Sequence, residues 1–400
     1  MQKKYPINCH THIFSLSVIP ENILGRGAAF GLNFLKRGEK DFVIGLLRNT
    51  LLKILGRATS RRLGAIADSV VAHNDQKAVL CNLIKFYSEL EYPDMKFVVL
   101  CQDMDHTGIK SYNYMDAIHQ MYEVAQIMED EFFRDRILPF VAVDPRSFNE
   151  PIHIVRKFVN DCGFKGIKLY PTVGFFGDDE RLMPVYEYAS KHQLPILVHY
   201  TGGVIYYRGN LPYRKDKSVF RFRKGKDYQL NFLNPHYFRN VLKKYPNLKI
   251  CFAHFAGTMD DSTIANLDSY QLDPYEYFDN RKWGDSTPDE QEIRAYMHKY
   301  IVKLINDDEY PNVFTDIAFE FSRATFVDKV NEYMGDNNSP RLRERILFGT
   351  DFFVNSKNDG NKDEFGLVTK LATRLDETTL NQMMFENNND FLQSDFYPET

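Results

Sequence analysis

Cysteine is scarce in this 400-residue chain: five residues (Cys9, Cys81, Cys101, Cys162 and Cys251), odd in number, widely spaced and without a CxxC pair. A disulfide framework and a structural zinc finger are therefore not expected, and reduced thiols packed as small apolar groups are. Long apolar runs are missing too. The most apolar stretch, 42–55, is interrupted by Arg48, Asn49 and Lys53 and is too short to span a bilayer. Lys3 and Lys4 have no apolar run behind them, so a secretory signal is not expected and a soluble cytoplasmic protein is. An excess of one charge is also absent. Lys and Arg number 50 against 54 Asp and Glu, a formal net charge of −4, which argues against a general nucleic-acid binder.

What is present is an alternation. From residue 96 onward, short β-rich runs alternate with longer segments of helical period, the pattern of parallel strands joined by crossover helices. The runs are 96–102, 136–143, 166–170, 195–199, 248–254, 313–318 and 345–349, with 5–9 as an eighth. Eight near-continuous apolar strands, buried on both faces, predict an α/β fold, the (β/α)₈ TIM barrel. Helical periods are expected at 114–133, 181–192 and 235–245, and two closing helices at 364–392.

A bare barrel needs about 250 residues. The surplus falls in three insertions: a mainly helical one at 15–95 after strand one, a basic loop at 204–231 after strand five, and an acidic one at 259–311 after strand six with a helix beginning near Pro288. The barrel proper is then 1–14 with 96–400. The basic amphipathic part of 15–95 could lie on a membrane surface; a cap or homodimer contact is favoured, without stable membrane insertion.

The strand exits hold the informative polar residues. Strand one ends in His10-Thr11-His12, strand five in His199 and strand six in His254, and Asp351 follows strand eight. Catalytic groups of such barrels come from the C-terminal strand ends. Each residue has a plainer reading: an HxH pair is a weak motif, His199 and His254 could be core histidines, and Asp351 could cap a helix. Their coincidence at one barrel end favours a site for Zn²⁺ or a similar divalent ion.

The segments INCHTHIF (7–14), GFKGIKLYP (163–171), PILVHYTGG (195–203), FAHFAG (252–257), FGTDFF (348–353) and FENNNDFL (385–392) resemble the amidohydrolase superfamily, and within it the amidohydrolase-related group that includes aminocarboxymuconate semialdehyde decarboxylase. The resemblance implies one catalytic metal, usually Zn²⁺, held by His10, His12, His199 and Asp351. It also implies that Asp351 is the general base and that His254 sits beside the metal-bound water or substrate oxygen. Asn8 stands where this group commonly has Asp, replacing a supporting carboxylate by an amide. Lys168 has three readings: a carboxylated bridge to a second metal, which is disfavoured, a buried counter-charge, or a substrate-carboxylate anchor. Asp316 is a further substrate-binding candidate, as are Tyr207 and Arg208 of the basic insertion. That insertion is equally readable as a solvated loop. The expected activity is hydrolysis of an amide, lactone or ester bond of a small polar, anionic substrate. The alternative is metal-dependent, non-oxidative decarboxylation of a small carboxylated one.

Overall fold

The computed structural model describes residues 4–20, 75–108, 115–203, 205–212, 220, 222, 224–257, 259–280, 287–336, 339–352, 371 and 374–397. Most of the 15–95 insertion, and 213–219 of the basic one, lie outside the described residues.

Eight strands pair in sequence order: β1 (Ile7–Thr11), β2 (Lys96–Leu100), β3 (Ile137–Val143), β4 (Gly166–Leu169), β5 (Ile196–Val198), β6 (Ile250–Phe252), β7 (Val313–Asp316) and β8 (Ile346–Leu347). Every pairing is parallel. The sheet closes through the Cys9 N–H to the Phe348 carbonyl and the His12 N–H to the Phe352 carbonyl, both at 2.9 Å. The result is a TIM barrel, with each predicted strand in place. Its lumen is filled by inward-facing side chains, among them Cys9, Leu100, Phe140, Leu197, Cys251, Phe314 and Leu347. A larger apolar layer joins the outer strand faces to the helices. All five cysteines are free.

β8 is only two residues long, so side chains complete its seam with β1. Asn388 Nδ2 donates to the Ile7 carbonyl at 2.7 Å and to the Phe348 carbonyl at 2.9 Å, while its Oδ1 accepts from the Phe348 N–H. Asn387 donates to the Arg343 and Ile346 carbonyls, and Asn389 to the Tyr5 carbonyl. This asparagine run, a trace of low complexity in the sequence, is the clasp of the barrel. Buried amides suit it because one side chain offers both a donor pair and an acceptor.

Two expectations change in detail. The helix predicted over 114–133 is two, Ala117–Ile127 and Glu131–Arg134, because Asp130 turns its carboxylate onto the Phe132 N–H and starts a new helix. The acidic insertion is largely helical rather than a long loop. Asp260, Asp273 and Asp289 cap the helices Asp261–Ala265, Pro274–Asp279 and Glu290–Asn306. A carboxylate at a helix start accepts unpaired N–H groups and faces the positive end of the helix dipole, which accounts for these acidic residues. Among the described residues no helix is long and apolar enough to cross a membrane.

Candidate metal centre

His10 lies in β1, His12 one residue beyond it, His199 directly after β5, His254 two residues past β6, Asp316 at the end of β7, and Asp351 past β8. The barrel brings all six to one mouth. His10, His254 and Asp316 are 0–1% exposed, His12 4% and Asp351 7%.

Hydrogen bonds assign the ring nitrogens. Nδ1–H of His10 donates to Asp316 Oδ2 at 2.8 Å, that of His12 to the Leu100 carbonyl at 3.1 Å, and that of His254 to the Ala318 carbonyl at 3.0 Å. A neutral imidazole that donates from Nδ1 carries its lone pair on Nε2. His254 Nε2 therefore accepts from His199 Nδ1, 3.3 Å away, and leaves the lone pair of His199 on its own Nε2. The Nε2 atoms of His10 and His199 are buried without a hydrogen-bond partner. Asp351 Oδ1 lies 3.2 Å from His12 Nε2 and 3.6 Å from His10 Nε2.

Ligand atoms of His10, His12 and Asp351 all lie within 4.8 Å of one another. Two nitrogen lone pairs and a carboxylate oxygen facing one point repel unless a cation lies among them, so these residues fit a divalent ion. Protonation states agree. Burial pushes the His10 and His199 pKa values well down, and the charge on Lys168 adds to this, so both rings stay neutral, as a metal ligand must be. Burial alone would raise Asp351, but the neighbouring His12, His10 and His254 outweigh it and hold the carboxyl below its ordinary range. A second cluster, His10, His254 and Asp316, is already bonded within itself.

The remaining candidates are placed as follows. Asp316 turns its carboxylate to the protein's own donors. Its Oδ1 accepts the His254 N–H at 2.8 Å and the Ala318 N–H at 3.1 Å, and its Oδ2 takes His10 Nδ1–H, so its oxygens are occupied by the protein and it orients two histidines. Lys168 Nζ is buried with no hydrogen-bond partner. Burial brings its pKa down to about 8, against the opposing pull of Asp316 and Asp351. Tyr207 is wedged close to Gly108, Gly174 and Gly209, with Phe232 edge-on at 6.2 Å. Its N–H donates to the Thr172 carbonyl, and that of Arg208 to the Thr107 carbonyl, so this loop ties the β4 exit to the β2 exit. Arg208 stacks over Tyr206 at 4.5 Å.

Three roles were not legible in the sequence. The carboxylate that orients His10 comes from Asp316, across 306 residues, and not from position 8. Asn8 instead donates to Tyr87 Oη and Thr350 Oγ1, both at 2.8 Å, and accepts from the Thr350 and His10 N–H groups. It thereby pins the β8 exit to β1. An aspartate cannot make the two donations when ionised, so Asn8→Asp is expected to destabilise the fold by about 2–3 kcal/mol. Chemical denaturation checks this; unchanged stability at neutral pH would contradict the assigned bonds.

The other two features are backbone strain and what braces it. His254, Phe255 and Ala256 have φ of 61°, 47° and 71°, and Asp351 has 55°. Left-handed conformations cost non-glycine residues about 1–3 kcal/mol each and persist where the surroundings enforce them. Asp351 is held by its N–H to the His10 carbonyl at 2.9 Å. At the preceding Gly349 a Cβ would come within 2.7 Å of His10 Cβ, so glycine permits that approach. The turn after β6 is braced by His298 of the Glu290–Asn306 helix. Its Nδ1–H donates to the Phe255 carbonyl at 3.1 Å, its Nε2 accepts from Tyr333 Oη at 2.9 Å, and its ring stacks on Phe255.

Burial depresses the His298 pKa to about 3 from an ordinary 6.5. The unfolded chain takes this proton first, so the stability tied to neutral His298 is complete above pH 6.5 and is lost as pH falls toward 3. Unfolding free energy is therefore expected to drop between about pH 6 and 4 by on the order of a few kcal/mol more than in His298→Gln. Parallel pH dependences in the two proteins would count against this role.

Solved structures with this fold include 5-carboxyvanillate decarboxylase from Novosphingobium aromaticivorans, determined as a point mutant with bound manganese. It is 12% identical, with 98% of this chain and 97% of that one covered and a TM-score of 0.53. The 5-carboxyvanillate decarboxylase from Sphingomonas paucimobilis is 11% identical, with 98% and 99% covered and a TM-score of 0.51. No curated protein matches the chain significantly. The sequence model of the amidohydrolase family matches residues 102–389, from the end of β2 to the asparagine clasp, while the fold supplies the HxH strand outside that match. With well over half of its length matched, the chain belongs to the amidohydrolase family.

Proposed function

We propose that this chain is a metal-dependent, non-oxidative decarboxylase of a small, carboxylated, hydroxyl-bearing aromatic substrate. The observation that carries the metal dependence is the convergence of His10 Nε2, His12 Nε2 and Asp351 Oδ1, beside the unpartnered Nε2 of His199. One divalent ion is the proposed occupancy, held by His10, His12, His199 and Asp351, with Zn²⁺ and Mn²⁺ as the candidates. The internal bonding of the second cluster speaks against a second ion. When bound, the ion would polarise substrate oxygens and offset negative charge that develops on them.

The protein's own groups supply the rest. Decarboxylation breaks one carbon–carbon bond, expels CO₂ and leaves an electron pair that must take a proton. Asp351, kept ionised among histidines, can accept a proton from a substrate hydroxyl and return it to that carbon. His254, whose ring is fixed between Ala318 and His199, borders the same point and holds His199 with its Nε2 lone pair toward the site. Asp316 keeps His10 and His254 aligned. The burial of these groups excludes water, which favours loss of CO₂ over attack by water. Both solved structures described above are decarboxylases, which supports this reading over hydrolysis.

The test is isotopic. Metal-loaded protein is incubated with a panel of hydroxybenzoates in D₂O and, separately, with aryl esters and amides in H₂¹⁸O. Deuterium at the vacated ring carbon with release of CO₂ is expected. Incorporation of ¹⁸O into an acid product without CO₂ would establish the hydrolase instead.

A further inference from the structure

Arg294 lies in the Glu290–Asn306 helix, and its side chain is 6% exposed. The outer edge of its guanidinium is satisfied: Nε and Nη2 both donate to Glu290 Oε1, at 3.0 and 2.7 Å. The inner nitrogen, Nη1, is buried with no hydrogen-bond partner. A guanidinium is always charged, and leaving one of its donors buried and unmade costs about 1–3 kcal/mol or more. Such a group calls for an explanation.

Its position supplies one. The guanidinium enters between Gly202 and Gly257, each three residues beyond a mouth histidine, His199 and His254. A Cβ on Gly202 would lie 2.9 Å from Nη2, and one on Gly257 3.0 Å from Nη1 and 2.3 Å from Thr201 Oγ1. Gly257 is one tight turn from His254, its N–H donating to the His254 carbonyl at 2.7 Å, and its φ of +90° also requires glycine. Gln229 lines the same gap and holds the Gly203 N–H at 2.9 Å. Two glycines thus clear a passage through which a charged donor from an outer helix reaches the β5 and β6 exits. A guanidinium carries a permanent positive charge, so an anion is the ligand complementary to its open donor.

We propose that Arg294 Nη1, framed by Gly202, Gly257 and Thr201, is the recognition point for a substrate carboxylate other than the group held at the metal. The proposal rests on the reading of the barrel mouth as a metal-dependent substrate site, and it identifies the substrate as one with two anionic groups. Charge-assisted bonds from a buried guanidinium are the strong kind, and they select for a carboxylate over a neutral group.

Calorimetric titration of the Mn²⁺-loaded protein with isophthalate, terephthalate and benzoate tests this. The dicarboxylates are expected to bind the natural chain more tightly than benzoate. In Arg294→Gln they should weaken at least tenfold, with benzoate altered less than twofold and metal content unchanged. Equal dicarboxylate affinity in the natural chain and in Arg294→Gln would overturn the proposal and leave the mouth reading standing. Failure of all three anions to bind the metal-loaded natural chain would overturn both. Should Arg294→Gln not fold, Glu290→Gln decides. Removing the half-exposed competing carboxylate should tighten dicarboxylate binding severalfold, and unchanged affinity would reject the role.

Discussion

His12→Ala is expected to purify without a stoichiometric divalent ion and to turn over substrate at least about 10³-fold more slowly, since the metal's share of catalysis is several kcal/mol. His12 contributes one of the converging lone pairs and faces Asp351 Oδ1 at 3.2 Å. Its other nitrogen meets only the exit of β2, the Leu100 carbonyl at 3.1 Å and the Gln102 amide at 3.2 Å, so the fold should survive the change. That separation makes the result interpretable: metal content falls while the melting temperature of the metal-free protein barely moves. His10→Ala should lose the ion as well, but with a larger cost in stability, because Asp316 is then left buried without its imidazole partner. Stripping the natural protein with a chelator should lower its melting temperature, since a ligand that binds only the folded state stabilises it by mass action. Full metal occupancy in His12→Ala would remove His12 from the ligand set.

The second large effect is expected at Asp316, which never touches the ion. Its oxygens receive His10 Nδ1–H, the His254 N–H and the Ala318 N–H. In Asp316→Asn one oxygen becomes an NH₂ group, and either orientation sets a donor against a donor. If the NH₂ faces His10, the imidazole must flip its tautomer and give up the Nε2 lone pair. If it faces His254, the strained turn loses the bond at its first residue. Metal affinity should fall by about 10- to 100-fold, the usual consequence of losing a partner that orients a ligand. The readout that separates this from a general structural defect is the metal dissociation constant measured beside the melting temperature. A variant that melts lower yet binds metal as tightly as before would show that Asp316 is only a core residue.

The architecture was legible because parallel barrel strands are buried on both faces and read as continuous apolar runs. Runs such as 136–143 and 166–170 mark β3 and β4 to within a residue. The proposed ligands were legible as candidates for a related reason, since His10, His12, His199 and Asp351 all sit where a strand gives out. The groups that hold them were not. Asp316 and His10 are 306 positions apart, and no local pattern links them. His298 lies within a helix whose face looks like ordinary core, and only its bond to the Phe255 carbonyl shows that it braces the His254 turn. Arg294 reads as one more charge in a helix that carries both signs until Gly202 and Gly257 are seen around it. The capping roles of Asp260, Asp273 and Asp289 in the acidic insertion were not legible either, because a capping bond depends on a turn that composition does not reveal.

The asparagine clasp bears on the order in which the molecule can be built. His10 stands on the first strand and Asp351 just beyond the last, and the two strands that carry them meet at a seam held by Asn387, Asn388 and Asn389. During synthesis the first strand, already able to pair with β2, must wait for residues 346–389 to emerge before its β8 neighbour and the clasp exist. Contacts so distant in sequence are slow to form, because the entropy of closing the loop is lost before the contact is gained. The proposed metal ligands therefore come together only when the barrel is finished, and an ion held by them would be acquired by a protein already folded, at the last joint to close.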